Sequence, residues 1–499
     1  MTINNDTNGN FVNKTFFALH PLNIKYRDNA YVLYHTETGR WIKTNQSGKN
    51  IVELCDGKLS VQEIAFKIAQ KLMLPEEDIL ESIVPFMKGA EEIKFLLEAE
   101  QNTYKKESIQ TIDAHVKLDL WVHVTSRCNM KCPFCIQGGS KPENHKSLMN
   151  TSDYLSLFND VKGVKRLKIL FSGGEPFLRE DIKELVTRCR EIVGSEAYIV
   201  LISNGTGAEP EVYGLLSKYV DILQISLDGR SSNTNDIIRG EGSFEKTMTT
   251  VKYLRDIRAK NLWLSFTPTQ YNIKDLASMV NFALRLNAAG LHVNSLMPGG
   301  CALDNYNKLV VDKNTLRQSR ARMYHQYQSQ MGWLRKHFGS KSELEAAPNF
   351  RLDPAAEPAG KLALLTKRYS CGMGRFLVSL DPMGNMYLCP SLHVDDFRYG
   401  NILENGFWGS YENMIKELPS IDVRGIDGCK DCDIRYICGG GCRARAYYLN
   451  KGIDKIDPNC NYDDYIDRMF TIAPYVVRTD QSFRIKATEQ YNARSEKAC

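Results

Sequence analysis

The sequence predicts an α/β chain built on a partial (β/α)6 barrel, with a winged-helix-like α+β unit before it and a cysteine-rich region behind it. Three observations predict this. From Val116 onward, short apolar runs alternate six times with amphipathic stretches of helical period, the pattern of a parallel sheet wrapped by helices. Ahead of them, three strand-like runs precede three helical ones. Ten of the fourteen cysteines fall into two groups, one early and one late.

Bulk properties bound the rest. An apolar fraction of 43% is enough for ordinary globular cores, and 499 residues make more than one domain the expectation. Net charge is +5, from 64 basic and 59 acidic residues. That balance does not argue for nucleic acid or a membrane surface. No apolar run reaches the length of a membrane span. The polar start Met1–Asp6 lacks a basic region followed by an apolar one, so the cytoplasm is the expected compartment. In a reducing compartment, clustered cysteines favour metal over disulfides.

Residues 1–14 are Asn- and Thr-rich and read as disordered. Residues 15–100 carry the first unit. Ile24–Tyr26, Tyr31–His35 and Trp41–Lys43 read as strands, divided by Asp28-Asn29 and Thr38-Gly39. A helix over Ser47–Cys55 stops at Asp56-Gly57. A second starts from the capping box Ser60-Val-Gln-Glu63, with Ile64, Ile68 and Leu72 at helical spacing. A third starts near Pro75, with Ile79, Ile83 and Met87 on one face. Cys55 falls on an apolar face and reads as core. The run Trp41–Asn45, Ile51–Gly57 and Val61–Ile64 resembles the leader-peptide recognition (PqqD-like) domain of ribosomal peptide maturases. That resemblance implies that a substrate leader adds as a strand at Trp41–Asn45, beside Pro75–Met87. A generic DNA-binding winged helix is the alternative, but no basic recognition helix supports it. Glu98–His115 is polar and reads as a linker.

The barrel is expected over 116–303. Leu118, Leu120, Val122 and Val124 alternate and make its first strand. Leu167–Phe171, Tyr198–Ile202, Ile222–Leu227, Leu262–Thr267 and Leu291–Leu296 make the others. Asp181–Val193, Phe244–Ile257 and Ile273–Ala288 are among the intervening helices. Chemistry in such a fold belongs at the C-terminal strand ends. Cys128, Cys132 and Cys135 lie there, spaced C-x3-C-x2-C. Three thiolates so close can hold three corners of a [4Fe–4S] cluster and leave one iron open; a zinc knuckle or buried free thiols are the alternatives.

With Gly173-Gly174-Glu175-Pro176 after the second strand, the triad resembles the radical S-adenosylmethionine (SAM) superfamily, whose fold is a partial TIM-type barrel. The resemblance implies that the open iron binds SAM and that electron transfer splits it into methionine and a 5′-deoxyadenosyl radical. It also implies cofactor contacts: Phe134 along the adenine, Gly173, Gly174 and Glu175 at the amino group, Ser226 and Asp228 at the ribose, and Arg239 at the carboxylate. Asn204 after the third strand joins this set. Asn204 and Asp228 are also suited to capping helices. Cys189 reads as structural.

Residues 304–370 fit the barrel poorly and read as a bridge, with a basic amphipathic helix over Arg317–His337 and a loop over Ala346–Pro358. Within 371–465 lie Cys371, Cys389, Cys429, Cys432, Cys438, Cys442 and Cys460. This order resembles the SPASM extension of radical SAM enzymes, which implies two auxiliary [4Fe–4S] clusters. Cys371, Cys389 and Cys442 would serve the first, and Cys429, Cys432, Cys438 and Cys460 the second. Two zinc sites are the alternative. The first set shows three cysteines, so either an iron stays open or a distant group such as Cys301 closes it. Residues 466–499 read as a tail, and Cys499 as incidental.

Sulfatase-maturing relatives carry Asp directly after the cysteine matching Cys389, where this chain has Pro390. His393, Asp395 and Asp396 are nearby candidates for proton handling. The function expected is a radical SAM oxidoreductase that modifies a ribosomally made precursor peptide, forming a thioether or carbon–carbon link. Its partners would be that peptide and a reductant such as flavodoxin or ferredoxin. A sulfatase-maturing-type Cys/Ser oxidase and a non-catalytic metal-binding leader scaffold are the alternatives.

Overall fold

The computed structural model describes residues 11–18, 20–99, 114–138, 148–337, 351–354, 368–418 and 421–472. The readings made for 1–10, for the centre of the linker, for most of 338–367 and for 473–499, Cys499 included, lie outside the described residues.

Strand β1 (Thr15–Ala18) opens the N-terminal unit. β2 (Leu22–Arg27), β3 (Ala30–His35) and β4 (Arg40–Thr44) follow and form an antiparallel sheet in that order. Asp28 and Asn29 both take positive φ between β2 and β3, the two-residue turn that matches strand twist. Helix α1 (Gln46–Leu54), strand β5 (Asp56–Ser60), α2 (Val61–Leu72), α3 (Glu76–Glu92) and β6 (Leu96–Glu98) complete it. The capping box forms as expected: Glu63 N–H donates to the Ser60 hydroxyl and Ser60 N–H to the Glu63 carboxylate.

A second sheet, β5-β1-β6, is an addition to the sequence reading. Asp56-Gly57 stops α1 but also begins a strand. Phe11, placed within the disordered start, is buried among the helices instead. A large ring has apolar surface to bury, and the chain turns back to bury it.

One face of the β2–β4 sheet covers the helical core through Leu33 and Ile42. Its other face, with Ala30, Val32, Tyr34 and Trp41, packs on Ile434, Ile437, Ile466, Met469 and Phe470 near the C-terminal end. The unit is therefore a docked body.

The barrel strands are β7 (Lys117–His123), β8 (Arg166–Ser172), β9 (Tyr198–Ser203), β10 (Ile222–Ser226), β11 (Leu262–Phe266) and β12 (Gly290–Val293), each parallel to the next. Helices α4 (Thr151–Val161), α5 (Ile182–Val193), α6 (Pro210–Leu216), α7 (Ser232–Arg239), α8 (Ser243–Asp256) and α9 (Met279–Arg285) lie between them, with both α7 and α8 between β10 and β11. Leu118, Leu120 and Val122 are fully buried in the core beneath these helices. By strand alternation, Asp119, Trp121 and His123 face the other way.

Two strands extend this set. β13 (Arg351–Pro354) adds parallel to β12, and β14 (Leu377–Leu380) adds parallel to β7. Antiparallel β15 (Asn385–Tyr387) and β16 (Arg398–Asn401) complete an open ten-stranded sheet. The bridge thus holds a sheet strand where a loop is the sequence reading. It also holds α10 (Cys301–Leu309) and α11 (Lys313–His337). The cysteine-rich region holds α12 (Ile402–Glu417), α13 (Arg435–Cys438), α14 (Arg443–Asn450) and α15 (Tyr462–Ile472). Among the described residues no helix is long and apolar enough to cross a membrane.

Candidate metal and cofactor centre

β7 ends at His123, and the chain runs directly into the Cys128 loop. That loop is clamped by the turn after β8. Gly174 N–H donates to the Thr125 carbonyl at 2.7 Å and Glu175 N–H to the Arg127 carbonyl at 2.8 Å. A Cβ at Gly174 would lie 2.0 Å from the Arg127 oxygen, and one at Gly173, where φ is +136°, would lie 2.4 Å from that of Thr125. Both glycines are needed because two backbone segments meet.

The structure brings Cys128, Cys132 and Cys135 into each other's electrostatic field. Burial raises the Cys128 thiol and pushes Cys132 up to about 11, partly offset for Cys132 by Arg239. Thiols held protonated by burial are released by a metal that displaces the proton. Among the described residues no group of three or more His, Cys, Asp or Glu is in place for a metal ion. A cubane cluster is larger than one ion and seats each cysteine on a different iron. Three converging thiols on a rigid strand end fit that donor set.

Arg239, Asp228, Glu175 and Asn204 lie close enough to the triad to act on its thiols. Arg239 Nε donates to Asp228 Oδ2 at 2.6 Å, and the guanidinium lies 5.4 Å from the Phe134 ring centre. Burial opposes the Arg239 charge, but Asp228, Cys132 and Cys128 outweigh it and raise its pKa. Burial raises the Asp228 carboxyl, against the pull of Arg239. Asp228 Oδ1 also accepts from Thr267 N–H at 2.6 Å. Ser226 accepts from Ser265 at 3.3 Å. Asn204 Nδ2 donates to Asn129 at 2.8 Å and lies 3.9 Å from the Cys128 sulfur. Neither Asn204 nor Asp228 caps a helix; Glu209 and Ser231 stand at those N-termini.

Glu175 is only 1% exposed. It accepts from Ser203 Oγ at 2.7 Å, Asn204 N–H at 2.7 Å and Phe177 N–H at 3.2 Å. Burial pushes it up to about 7, against these hydrogen bonds. Its visible work is to tie the β8 turn to the end of β9. Sequence reasoning missed Asn129, Asn235 and Asn272, which hold this shell together: Asn129 donates to Thr206, Asn235 accepts from Asp228 N–H, and Asn272 donates to the Asp228 carbonyl. Each lies within a turn or a short helix beyond a strand end, and that location was the available signal.

The later cysteines border a cavity of about 850 Å³, together with Leu296, Met297 and residues of α11 and α15. Here the thiols sort into two sets. Cys389 and Cys442 each feel Cys371. Cys429 and Cys432 each feel Cys438 and Cys460. Burial raises Cys389, Cys442, Cys432, Cys438 and Cys460, and pushes Cys429 up to about 11. Gly439, Gly440 and Gly441 all take positive φ between Cys438 and Cys442. Arg445 makes a two-pronged pair with Asp457 at 2.7 and 2.8 Å, and Asp457 in turn accepts the Cys442 N–H.

Cys301 does not border this cavity. Its N–H donates to the Cys135 carbonyl at 2.9 Å, on the triad loop. The thioether of Met297 stands instead 4.0 Å from the Cys442 sulfur. His393 bonds Ser379 at 2.8 Å and stacks between His123 and Tyr387. Asp395 and Asp396 lie on an exposed turn, where Asp396 accepts from Tyr447. None of these three lines the cavity. Buried Cys55 and Cys189 are core residues, as expected.

The N-terminal sheet reaches this region directly. The Tyr34 hydroxyl donates to Asp433, beside Cys432, at 2.6 Å, and Arg27 pairs with Asp467 at 2.5 Å. Trp41 is buried in that interface, and Ile79, Ile83 and Met87 are core. The surfaces expected to receive a leader are thus largely inside the protein.

Comparison with known proteins follows the same division. The Radical SAM superfamily model matches residues 122–283, and that of coenzyme PQQ synthesis protein D matches residues 30–96. Mycofactocin maturase MftC of Mycolicibacterium smegmatis is 28% identical over 344 residues, covering 68% of this chain and 81% of that protein. Streptococcus suis SuiB bound to S-adenosylmethionine superposes with a TM-score of 0.50 at 16% identity, over 89% of this chain and 100% of that one. The structure of anSMEcpe with AdoMet and the Kp18Cys peptide superposes with a TM-score of 0.55 at 19% identity, over 71% and 96%. At these identities the structural likenesses speak for the fold.

Proposed function

We infer that this chain, a radical SAM enzyme carrying a PqqD domain, matures a ribosomally made precursor peptide by hydrogen abstraction and closure of a thioether or carbon–carbon link. The observation that carries this reading is the union in one chain of a PqqD domain with a radical SAM domain. The similarity to a mycofactocin maturase supports it.

A [4Fe–4S] cluster with an open iron, together with SAM, supplies the hydrogen-abstracting chemistry when bound. Cys128, Cys132 and Cys135 are assigned to hold that cluster. Cys371, Cys389 and Cys442, and separately Cys429, Cys432, Cys438 and Cys460, are assigned to auxiliary clusters. Arg239, fixed by Asp228 and lying over Phe134, suits an anionic group beside the triad. Asn204 and Asn129 orient the Cys128 loop, and Glu175 ties that loop's support to β9. Leu296 and Met297, on the wall of the cavity that the later cysteines border, suit apolar side chains of the core peptide. A flavodoxin- or ferredoxin-type reductant and a cytoplasmic location belong to the same reading.

The test uses the peptide encoded by a short reading frame beside this gene. Anaerobic reaction with SAM and reductant yields a product lighter by two hydrogens. Unchanged peptide mass with SAM fully consumed rejects cross-linking. Equal turnover of the peptide without its leader half favours the sulfatase-maturing type of oxidase.

A further inference from the structure

We propose that the free edge of β2, rather than that of β4, receives the precursor's leader, as an added strand with apolar and acidic residues in alternation. This rests on the maturase reading above and specifies its docking surface.

The argument starts from backbone register. Among the described residues β2 pairs with β3 alone, with Arg27 opposite Ala30 across the two-residue turn. In such a hairpin the closing pair is hydrogen-bonded, and bonding alternates away from it. Arg27, Lys25 and Asn23 therefore bond to β3. Leu22, Ile24 and Tyr26 turn their N–H and C=O groups outward. Among the described residues nothing meets these groups. Unpaired polar backbone on a sheet edge is a template for another strand.

Side chains reinforce this. Ile24 is 42% exposed and Tyr26 59% exposed. They share one face of the strand, with the Tyr26 ring 4.7 Å from Tyr31. An added strand would lay alternate apolar side chains against them. On the opposite face Lys25 stands 5.5 Å from the Tyr462 ring and, among the described residues, has no carboxylate partner. An acidic residue on the added strand would meet it. The other edge differs. In β4, Trp41 is 2% and Lys43 9% exposed, although by the same register their backbone groups point away from β3.

Position fits delivery. The outer face of β2 rests on α15 through Lys25–Tyr462 and Arg27–Asp467. Tyr462 and Asp464 line the cysteine-bordered cavity, and Arg317, also on its wall, shares Asp467 with Arg27. A peptide anchored on β2 thus lies one helix away from that cavity.

The test measures binding of the neighbouring-frame peptide, labelled with fluorescein at its C-terminus, to anaerobically reconstituted holoenzyme. Ile24→Pro and Tyr26→Pro each delete an outward N–H that the sheet does not use. Each is expected to weaken binding by about tenfold or more. Lys43→Pro, the same lesion on β4, leaves the dissociation constant within about twofold of wild type. Lys25→Glu keeps every backbone group and is expected to weaken binding about threefold to tenfold, more at low salt; it decides the matter if a proline variant does not fold. Wild-type affinity in Ile24→Pro, Tyr26→Pro and Lys25→Glu overturns the β2 site and leaves the maturase reading standing. Failure of wild-type enzyme to bind the peptide overturns both.

Discussion

Cys128, Cys132 and Cys135 hang from the end of a buried parallel strand, clamped by backbone hydrogen bonds to the next strand's turn. Cys429, Cys432, Cys438 and Cys460 sit on turns and a four-residue helix, where three successive glycines redirect the chain. Fully buried Arg443 stitches that segment by donating to the carbonyls of Ile453, Lys455 and Gly440. The first site is placed by strand pairing and backbone hydrogen bonds. The second is placed by local polar links, to which bound metal would add.

Ways to break this contrast can be ranked by size. The largest effect is expected from Cys128→Ala: 5′-deoxyadenosine production falls below detection, while Tm moves by less than about 3 °C. Loss of the fold alongside activity would show that the triad is structural. Next, Cys429→Ala is expected to lower Tm by about 5–10 °C, with iron lost from the later site. A shift no larger than that of Cys128→Ala would erase the distinction between the regions.

Gly174→Ala sharpens it. The new methyl group meets backbone rather than a mobile side chain, so the Cys128 loop must shift, at a cost of about 3 kcal/mol. Urea unfolding and iron retention at the triad measure it, and wild-type values for both would show that the clamp is loose. The smallest effect is a pH dependence. Burial holds Glu175 near 7, above its ordinary 4.5. The folded state therefore binds a proton that the unfolded chain releases. That contribution is complete below pH 4.5 and disappears as pH rises through 7. Stability of wild type relative to Glu175→Gln should fall between pH 5 and pH 8 by at most about 3 kcal/mol. A difference that stays constant with pH would show Glu175 ionised throughout.

The barrel was legible because its strands carry clear apolar alternation and its helices a clear period. Leu118, Leu120 and Val122, together with the Ser60–Glu63 cap, each found the environment that their pattern predicts. β1, β6 and β13 were not legible. Runs of three or four residues carry too little periodicity, and their partners lie far along the chain. Cysteine spacing marks an early and a late group along the chain. It could not place Cys301, because a backbone bond to Cys135 leaves no mark in spacing. Nor could it show that Trp41 is buried in a cluster with Ile434, Ile437 and residues of α15, since an apolar strand face reads alike whether a peptide or another part of the chain covers it.

β14 joins the barrel beside β7, with Leu377 opposite Asp119 and Leu380 opposite Val122. Cys389 follows the next strand of the same sheet, β15, while the triad follows β7 itself. A continuous run of main-chain bonding therefore bridges the triad loop and Cys389. The offset between the triad loop and Cys389 is thereby fixed by strand pairing, like rungs on a ladder, and the N-terminal unit, whose strands belong to two other sheets, has no part in it.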